Sequence, residues 1–350
     1  MAYTVKMAET TLEQPKPQTT KKTRIFSGIQ PSDELHIGNY LGAVKNWVAS
    51  QGSSDSIYCV VDLHVLTLPD EIDPKVLYEG SRQLLATLMA CGLDPKQNIM
   101  FVQSHVREHT ELAWILNCVT PLGWLHQMTQ FKSKSERAKS IGTGLLDYPV
   151  LQAADIILYD ADEVPVGEDQ VQHIELTRDI ATRFNNLFGE TFVLPKAVVP
   201  KVGARVMGLD EPQVKMSKSI ARVRPHHAIG LLDDEKKLKK TIMSSVTDSE
   251  RETRFEHASP GVVNLLEIYE SLTQESREDI ETKFGGKGYG ELKKAVLGVV
   301  IDALKPIQTR YNELMNDRAG LETIIKQGAD QAREIAAKKM DEVRQAVGVG

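Results

Sequence analysis

The chain has 350 residues, 41% of them hydrophobic and 26% charged, with a formal net charge of −6 at pH 7. That length exceeds one comfortable hydrophobic core, so two domains are expected. The composition is that of a soluble globular protein, no apolar run approaches the ~18 residues of a membrane span, and the acidic balance excludes a uniformly basic surface while leaving room for a local basic stripe.

Residues 1–22 are polar, with Pro15, Pro17 and a Thr-Lys cluster, and are expected to form a flexible tail. They lack arginine and contain Glu9 and Glu13, which suits neither a signal peptide nor an organellar presequence. Arg24-Ile25-Phe26-Ser27 then spells a short strand running into Gly28, with a turn at Gln30-Pro31-Ser32-Asp33. Leu35 to Val48 has helical spacing, with Ile37, Leu41, Val44 and Val48 on one side. Ile57 to Asp62 is a near-continuous apolar run, as a parallel strand covered on both faces requires. Asp73-Pro74 opens a helix with a capping carboxylate and a proline at the first helical position. That helix turns Leu77, Leu84, Leu85, Leu88 and Met89 inward and stops at Gly92, and Ile99 to Val102 gives a third strand. Alternating strands and helices imply right-handed crossovers and a parallel sheet whose ligand sits beyond the strands' carboxyl ends. From Gly261 onward only helical patterns remain, through 291–315 and 320–347.

Cys59, Cys91 and Cys118 are far apart, each in an apolar stretch, so all three are expected as buried small hydrophobes in a reducing compartment.

Chemistry concentrates in a few segments. His36-Ile37-Gly38-Asn39 follows a strand and a turn, placing Gly38 and Asn39 in a first helical turn where free N–H groups favour phosphate. His36 can donate to phosphate oxygens; alternatively, Gly28 and Gly38 serve turn geometry alone and His36 is a solvated cap. Lys215-Met216-Ser217-Lys218-Ser219 follows Asp210-Glu211-Pro212 and reads as a loop whose two ammonium groups would neutralise a leaving pyrophosphate. Its bland alternative is an exposed lysine pair. Val164 to Gln170 leads into an amphipathic helix carrying Ile174, Ile180, Ala181, Phe184 and Phe188 on one face. There Gly167, Asp169 and Gln170 either contact a ribose and an amino group or merely complement the helix dipole. Asp155 sits in an apolar context, where a carboxylate needs a donor; an indole N–H or a neighbouring Arg or backbone group would each serve. Phe284 to Gly290 echoes a dinucleotide loop but follows a helix rather than a strand, so it reads as a tight interhelical loop. Asp233 to Lys240 reads as a helix with an acidic start and a basic end.

With these segments in this order, together with Phe26-Ser27-Gly28-Ile29-Gln30-Pro31-Ser32, Tyr148-Pro149, Ala153-Ala154-Asp155 and Pro200 to Arg205, the chain resembles the bacterial-type tryptophanyl-tRNA synthetases of class I from about Lys22 onward. The resemblance implies an α/β fold: a Rossmann-type parallel-sheet catalytic domain over 23–220 and an all-helical anticodon-recognition domain over 221–350, its last helix folding back on the first. It implies ATP used with Mg2+, tRNA(Trp) and L-tryptophan as partners, a homodimer, a cytoplasmic setting, no membrane, and neither a structural zinc nor an iron–sulfur centre. Carried over by position, Phe26, Gln30, His64, Tyr148, Gln152, Asp155, Val164, Val166 and Gln170 would bind tryptophan. Gly28, Gln30, His36, Gly38, Asn39, Gly167, Asp169, Gln170, Val206, Met207, Lys215, Met216, Ser217, Lys218 and Ser219 would hold ATP. His36, Asn39, Lys134, Gln170, Lys215 and Lys218 would carry catalysis, with no metal ligand among them. His36, Gln152 and Leu63 depart from the threonine, methionine and glutamine common in the family.

Overall fold

The computed structural model describes residues 22–31, 34–129, 141–199 and 205–350, with Glu71 described by its backbone alone. The expected tail apart from Lys22, together with Ser32, Asp33, Lys134 and 200–204, lies outside the described residues.

Five parallel strands form one sheet: β1 (Arg24–Ile29), β2 (Asp55–Val60), β3 (Ile99–Val102), β4 (Glu163–Pro165) and β5 (Lys196–Val198), in the order β3-β2-β1-β4-β5. The chain steps outward from β1 to β3, then crosses back to place β4 on the other side of β1. That reversal opens a crevice between β1 and β4 at their carboxyl ends. The two short strands β4 and β5 carry no apolar run and were not expected from the sequence.

The helical entry predicted from Leu35 is built in three pieces: α1 (Ile37–Asn39), a π-turn (Tyr40–Val44) and α2 (Lys45–Ala49). Ile37, Leu41 and Val44 are buried, as their spacing required. Helix α3 (Pro74–Ala90) starts where Asp73 accepts hydrogen bonds from Lys75 N and Val76 N, and it ends before Gly92 at φ +113. Further along lie α4 (Glu108–Val119), α5 (Leu122–His126), α6 (Thr143–Ile157), α7 (Val171–Phe188) and the short α8 (Lys218–Ala221). Helices α9 (Glu235–Met243), α10 (Pro260–Thr273), α11 (Arg277–Phe284), α12 (Tyr289–Asn316) and α13 (Arg318–Val347) complete the chain. The glycine-rich echo at 285–288 is the link between α11 and α12, and Asp234 caps α9 through Lys237 N.

Two apolar clusters cover the sheet. One joins α3 and the first helical turn to Val206, Leu209 and Met216 and on to α10 and α12. The other joins α4, α6 and α7 to Ala329, Ala332, Ala336, Met340 and Val343 of α13. The last helix therefore returns to the sheet, and ion pairs from Arg344 to Glu111 (2.7 Å) and from Arg82 to Glu322 tie it down. No helix among the described residues is long and apolar enough to cross a membrane.

One burial expectation fails, because an apolar stretch does not say which side of a helix is covered. Cys118 is exposed, because α4 buries Leu112, Ala113 and Leu116 and leaves Trp114 and Cys118 on the opposite side. Phe188 sits at the very end of α7 and is 40% exposed, touching Phe184 at 5.0 Å between ring centres.

Helix α13 crosses β3 at Gly328, where a β-carbon would lie 1.9 Å from the Met100 carbonyl oxygen. An alanine in a helix normally stabilises, by about 1 kcal/mol relative to glycine. Here the clash reverses the sign: Gly328→Ala should destabilise by roughly 1–3 kcal/mol in urea unfolding. A stabilised variant would mean that α13 does not press on β3.

Candidate active site

The crevice between β1 and β4 holds a cavity of about 390 Å³. Phe26, Gly28 and Gln30 enter it from β1 and its exit, Val61 and His64 from the end of β2. Tyr148, Gln152, Asp155 and Ile156 come from α6, and Val164 to Gly167 with Gln170 from β4 and the turn after it. All nine residues expected to bind tryptophan thus line one space. Val61, Ile156 and Pro165 complete the wall; nothing in their residue type singled them out.

Asp155 is 1% exposed. Its Oδ2 accepts from His64 Nε2 at 2.7 Å, and its Oδ1 accepts from His109 Nδ1 at 2.7 Å and Gln103 Nε2 at 2.6 Å. Burial alone would raise this carboxyl, but the hydrogen bonds from His109 and His64, helped by charge on those rings, hold it well below the ordinary carboxylate range. A carboxylate offers about four acceptor positions, so these three donors leave one open on Oδ2. Tyr159 Oη lies 2.8 Å from His109 Nε2 and extends the network inward. Gln103, His109 and Tyr159 carry no motif, and only the fold brings them to Asp155. Above the carboxylate, burial pushes the Tyr148 phenol up to about 12, and its oxygen lies 2.9 Å from His173 Nε2.

The glycine helix mouth is held by a strand-like strap. Leu231 N donates to Leu35 O at 3.0 Å and Ile37 N to Ile229 O at 2.9 Å, with His36 opposite Gly230. Asn39 N closes onto His36 O at 2.9 Å while His36 N donates to Asn39 Oδ1 at 3.0 Å. The Ile37 and Asn39 amides are therefore already used, which narrows the expected row of free first-turn N–H groups. Gly38 also sits in close quarters: a β-carbon there would crowd the His36 ring at 3.0 Å and Val206 Cβ at 3.4 Å.

The lysine loop does reach this mouth. Lys218 Nζ lies 2.7 Å from Glu34 Oε2, just ahead of His36. The pairing holds the Glu34 carboxyl below its usual value, chiefly through that hydrogen bond. Glu34 was not singled out from the sequence, although an acidic residue next to a phosphate-type motif is itself a signal. Lys215 is exposed and opposite Met207 in an antiparallel bridge, while Met216 is buried beneath it. Ser217 Oγ and Ser219 Oγ lie 2.7 Å apart, and Asp169 receives Gln170 Nε2 at 2.8 Å. His36 is 7% exposed, and its Nδ1 is buried without a partner. Burial first, then the nearby charges of Lys218, Lys215 and His227, lower its pKa to about 4.

A family model described as tRNA synthetases class I (W and Y) matches residues 18–305. The chain belongs to this family. It is 51% identical over 329 residues to a tryptophan–tRNA ligase of Wolinella succinogenes, covering 94% of this chain and 99% of that one. A tryptophan–tRNA ligase of Helicobacter pylori is 49% identical over 329 residues, with 94% and 99% covered. Among solved structures, the tryptophanyl-tRNA synthetase of Campylobacter jejuni complexed with ADP and tryptophan superposes with a TM-score of 0.84 at 38% identity, covering 93% of this chain and 100% of that one.

As a class I synthetase, the chain combines two neighbouring spaces: a small cavity of mixed apolar and polar walls with a carboxylate floor, and a mouth between Glu34, His36 and the lysine loop. The neutral His36 gives the second a pH signature. Between about pH 6.5 and 4 the unfolded chain binds a proton that the folded one refuses. Stability should therefore be fully present above that window and fall as pH drops through it, by up to roughly 3 kcal/mol. Urea unfolding of His36→Asn should show a shallower acid-side loss than the parent; identical slopes would mean His36 titrates normally.

Proposed function

We propose that this chain activates L-tryptophan with ATP to tryptophanyl-adenylate and transfers it to tRNA(Trp), releasing diphosphate and AMP. One observation carries the choice of amino acid. In a chain 51% identical to a tryptophan–tRNA ligase, a small cavity ends on a buried carboxylate with one acceptor position open. An indole N–H can only donate, so it suits that acceptor, while Phe26, Tyr148, Val164 and Val166 supply apolar walls. Gln30 and Gln170 would take the amino and carboxylate ends.

The amino acid's carboxylate oxygen attacks the α-phosphorus, and the bond to the β-phosphate's bridging oxygen breaks as diphosphate leaves. Lys215 and Lys218 would neutralise charge developing on that leaving group, Lys218 exchanging Glu34 for phosphate. Gly38, Asn39, Gly167, Asp169, Val206 and Met207 would cradle the nucleoside side, and His36 would offer its neutral ring to phosphate oxygen. In the second step the terminal ribose 2′-hydroxyl of tRNA attacks the adenylate carbonyl and AMP departs. No cluster of three or more His, Cys, Asp or Glu among the described residues could hold a metal. Magnesium would enter with the triphosphate as part of the substrate. Residues 221–350 would read the anticodon, with the exposed Lys236, Lys239 and Lys240 of α9 available to phosphates, in a cytoplasmic enzyme.

The nearest rival is tyrosine activation. Tyrosyl-tRNA synthetase structures share the fold, at a TM-score of 0.63 and 20% identity for the Aeropyrum pernix protein, which speaks for the fold alone. Amino-acid-dependent pyrophosphate exchange separates the two: exchange is expected with tryptophan and not with tyrosine, and the reverse would overturn the assignment. In the same assay Lys218→Ala should slow exchange by roughly 10²–10³-fold while altering tryptophan binding far less.

The proposal includes a homodimer. Trp114 and Leu122 are 71% and 60% exposed, and Trp124 and Leu187 line a surface hollow with Asp179, Thr182, Arg183 and Asn186. The large exposed Trp114 is the candidate contact for a second copy. Light scattering should give a dimer mass, and Trp114→Glu should shift it toward monomer; a monomeric parent would remove the interface.

A further inference from the structure

We infer that Asn264, a residue of the helical half, is a positioning residue for the loop that closes on ATP. The inference rests on the function proposed above.

Helix α10 begins with Pro260 in its first turn, and Asn264 lies within it, 2% exposed. An amide inside a buried helix face is a poor helix former, and it is costly there unless both its ends find partners. Both do, on a single residue: Met207 N donates to Asn264 Oδ1 at 2.8 Å, and Asn264 Nδ2 donates to Met207 O at 2.9 Å. The side chain thus serves Met207 as a neighbouring strand would.

Met207 is the base of the lysine loop. It stands opposite Lys215, with Met216 N donating to Val206 O at 3.0 Å and Gly208 N to Val214 O at 2.8 Å. On the other side of Met207, Val206 packs against the position of Gly38. A displacement of Met207 would therefore move Lys215 and Val206 together, on both sides of the nucleotide. It also follows that the Met207 N–H is occupied, so Met207 meets a nucleotide through its side chain or the remaining lone pair of its carbonyl.

A second contact fixes the same helix to the same loop base. At Gly261 a β-carbon would lie 2.1 Å from Val246 O and 3.3 Å from Pro212 Cγ. Val246 N in turn donates to Leu209 O at 2.8 Å. Backbone meets backbone there, leaving α10 no slack against the loop base. Asn264 supplies the directional contact and Gly261 the close approach.

Two variants separate positioning from general stability. Asn264→Ala removes both hydrogen bonds; Asn264→Asp keeps the volume and the acceptor for Met207 N but faces Met207 O with a second acceptor. Pyrophosphate exchange on the full chain would give kcat and the KM for ATP, equilibrium dialysis would give tryptophan affinity without ATP, and melting would report folding. Both variants should lose roughly tenfold or more in kcat/KM for ATP, with tryptophan affinity changed less than about twofold. Normal ATP kinetics, or equal losses for ATP and tryptophan, would overturn the inference. Hydrogen exchange on the parent protein gives a mutation-free readout: the Met207 amide should exchange as slowly as the interior of α10, and rapid exchange would also overturn it. A parent protein without tryptophan-dependent exchange would instead remove the functional reading beneath it.

Discussion

Two backbone hydrogen bonds, Ile37 N to Ile229 O and Leu231 N to Leu35 O, hold together what the sequence keeps nearly two hundred residues apart. They join the glycine helix mouth to the chain just after the lysine loop. Each is worth only about 0.5–1.5 kcal/mol net, but they are directional, and they fix register as a two-stranded ladder does. With that strap in place, Lys218 reaches Glu34 and the charges of Lys215 and Lys218 fall on His36. The apolar cluster that joins Ile37, Leu41 and Val44 to Val206, Leu209 and Met216 holds the same two features together, and the strap adds register to that packing.

The second constraint is the buried carboxylate. An ionised Asp155 in an apolar helix would be prohibitive if left alone, and its three donors come from three places: after β2, after β3 and from α4. The outcome is a held acceptor in a cavity whose walls mix apolar side chains (Phe26, Val61, Ile156, Val164, Val166) with the amides of Gln30, Gln152 and Gln170. Under the proposed function, specificity for a donor-bearing ring would come from pairing the last open position, because a ring lacking the donor would leave a buried polar atom unpaired.

The helical half is not a passive appendage. One apolar cluster runs from the first helical turn through α3 and the loop base into α10 and α12, and the other includes the face of α13. Because protein interiors are close-packed, a shift in one of these helices is transmitted to its neighbours. Asn264 and Gly261 are points where the helical region touches the base of the lysine loop, through Met207 and through Val246 and Pro212.

The sequence by itself determined the parallel α/β core, the helical C-terminal region, the glycine mouth and the lysine loop; the nine residues around the cavity were legible only through the family resemblance. Local chemistry encodes such features: an apolar run makes a strand covered on both faces, Asp73-Pro74 starts a helix, and short motifs keep their spacing. Only the tertiary structure decided that His109, Gln103 and Tyr159 gather behind Asp155, that Glu34 receives Lys218, and that Asn264 grips Met207. The exposure of Cys118 and the brief strands β4 and β5 belong to the same class. Each depends on contacts between residues distant in the chain, and a hydrophobic period or a turn residue reports which side of an element is buried without naming what buries it.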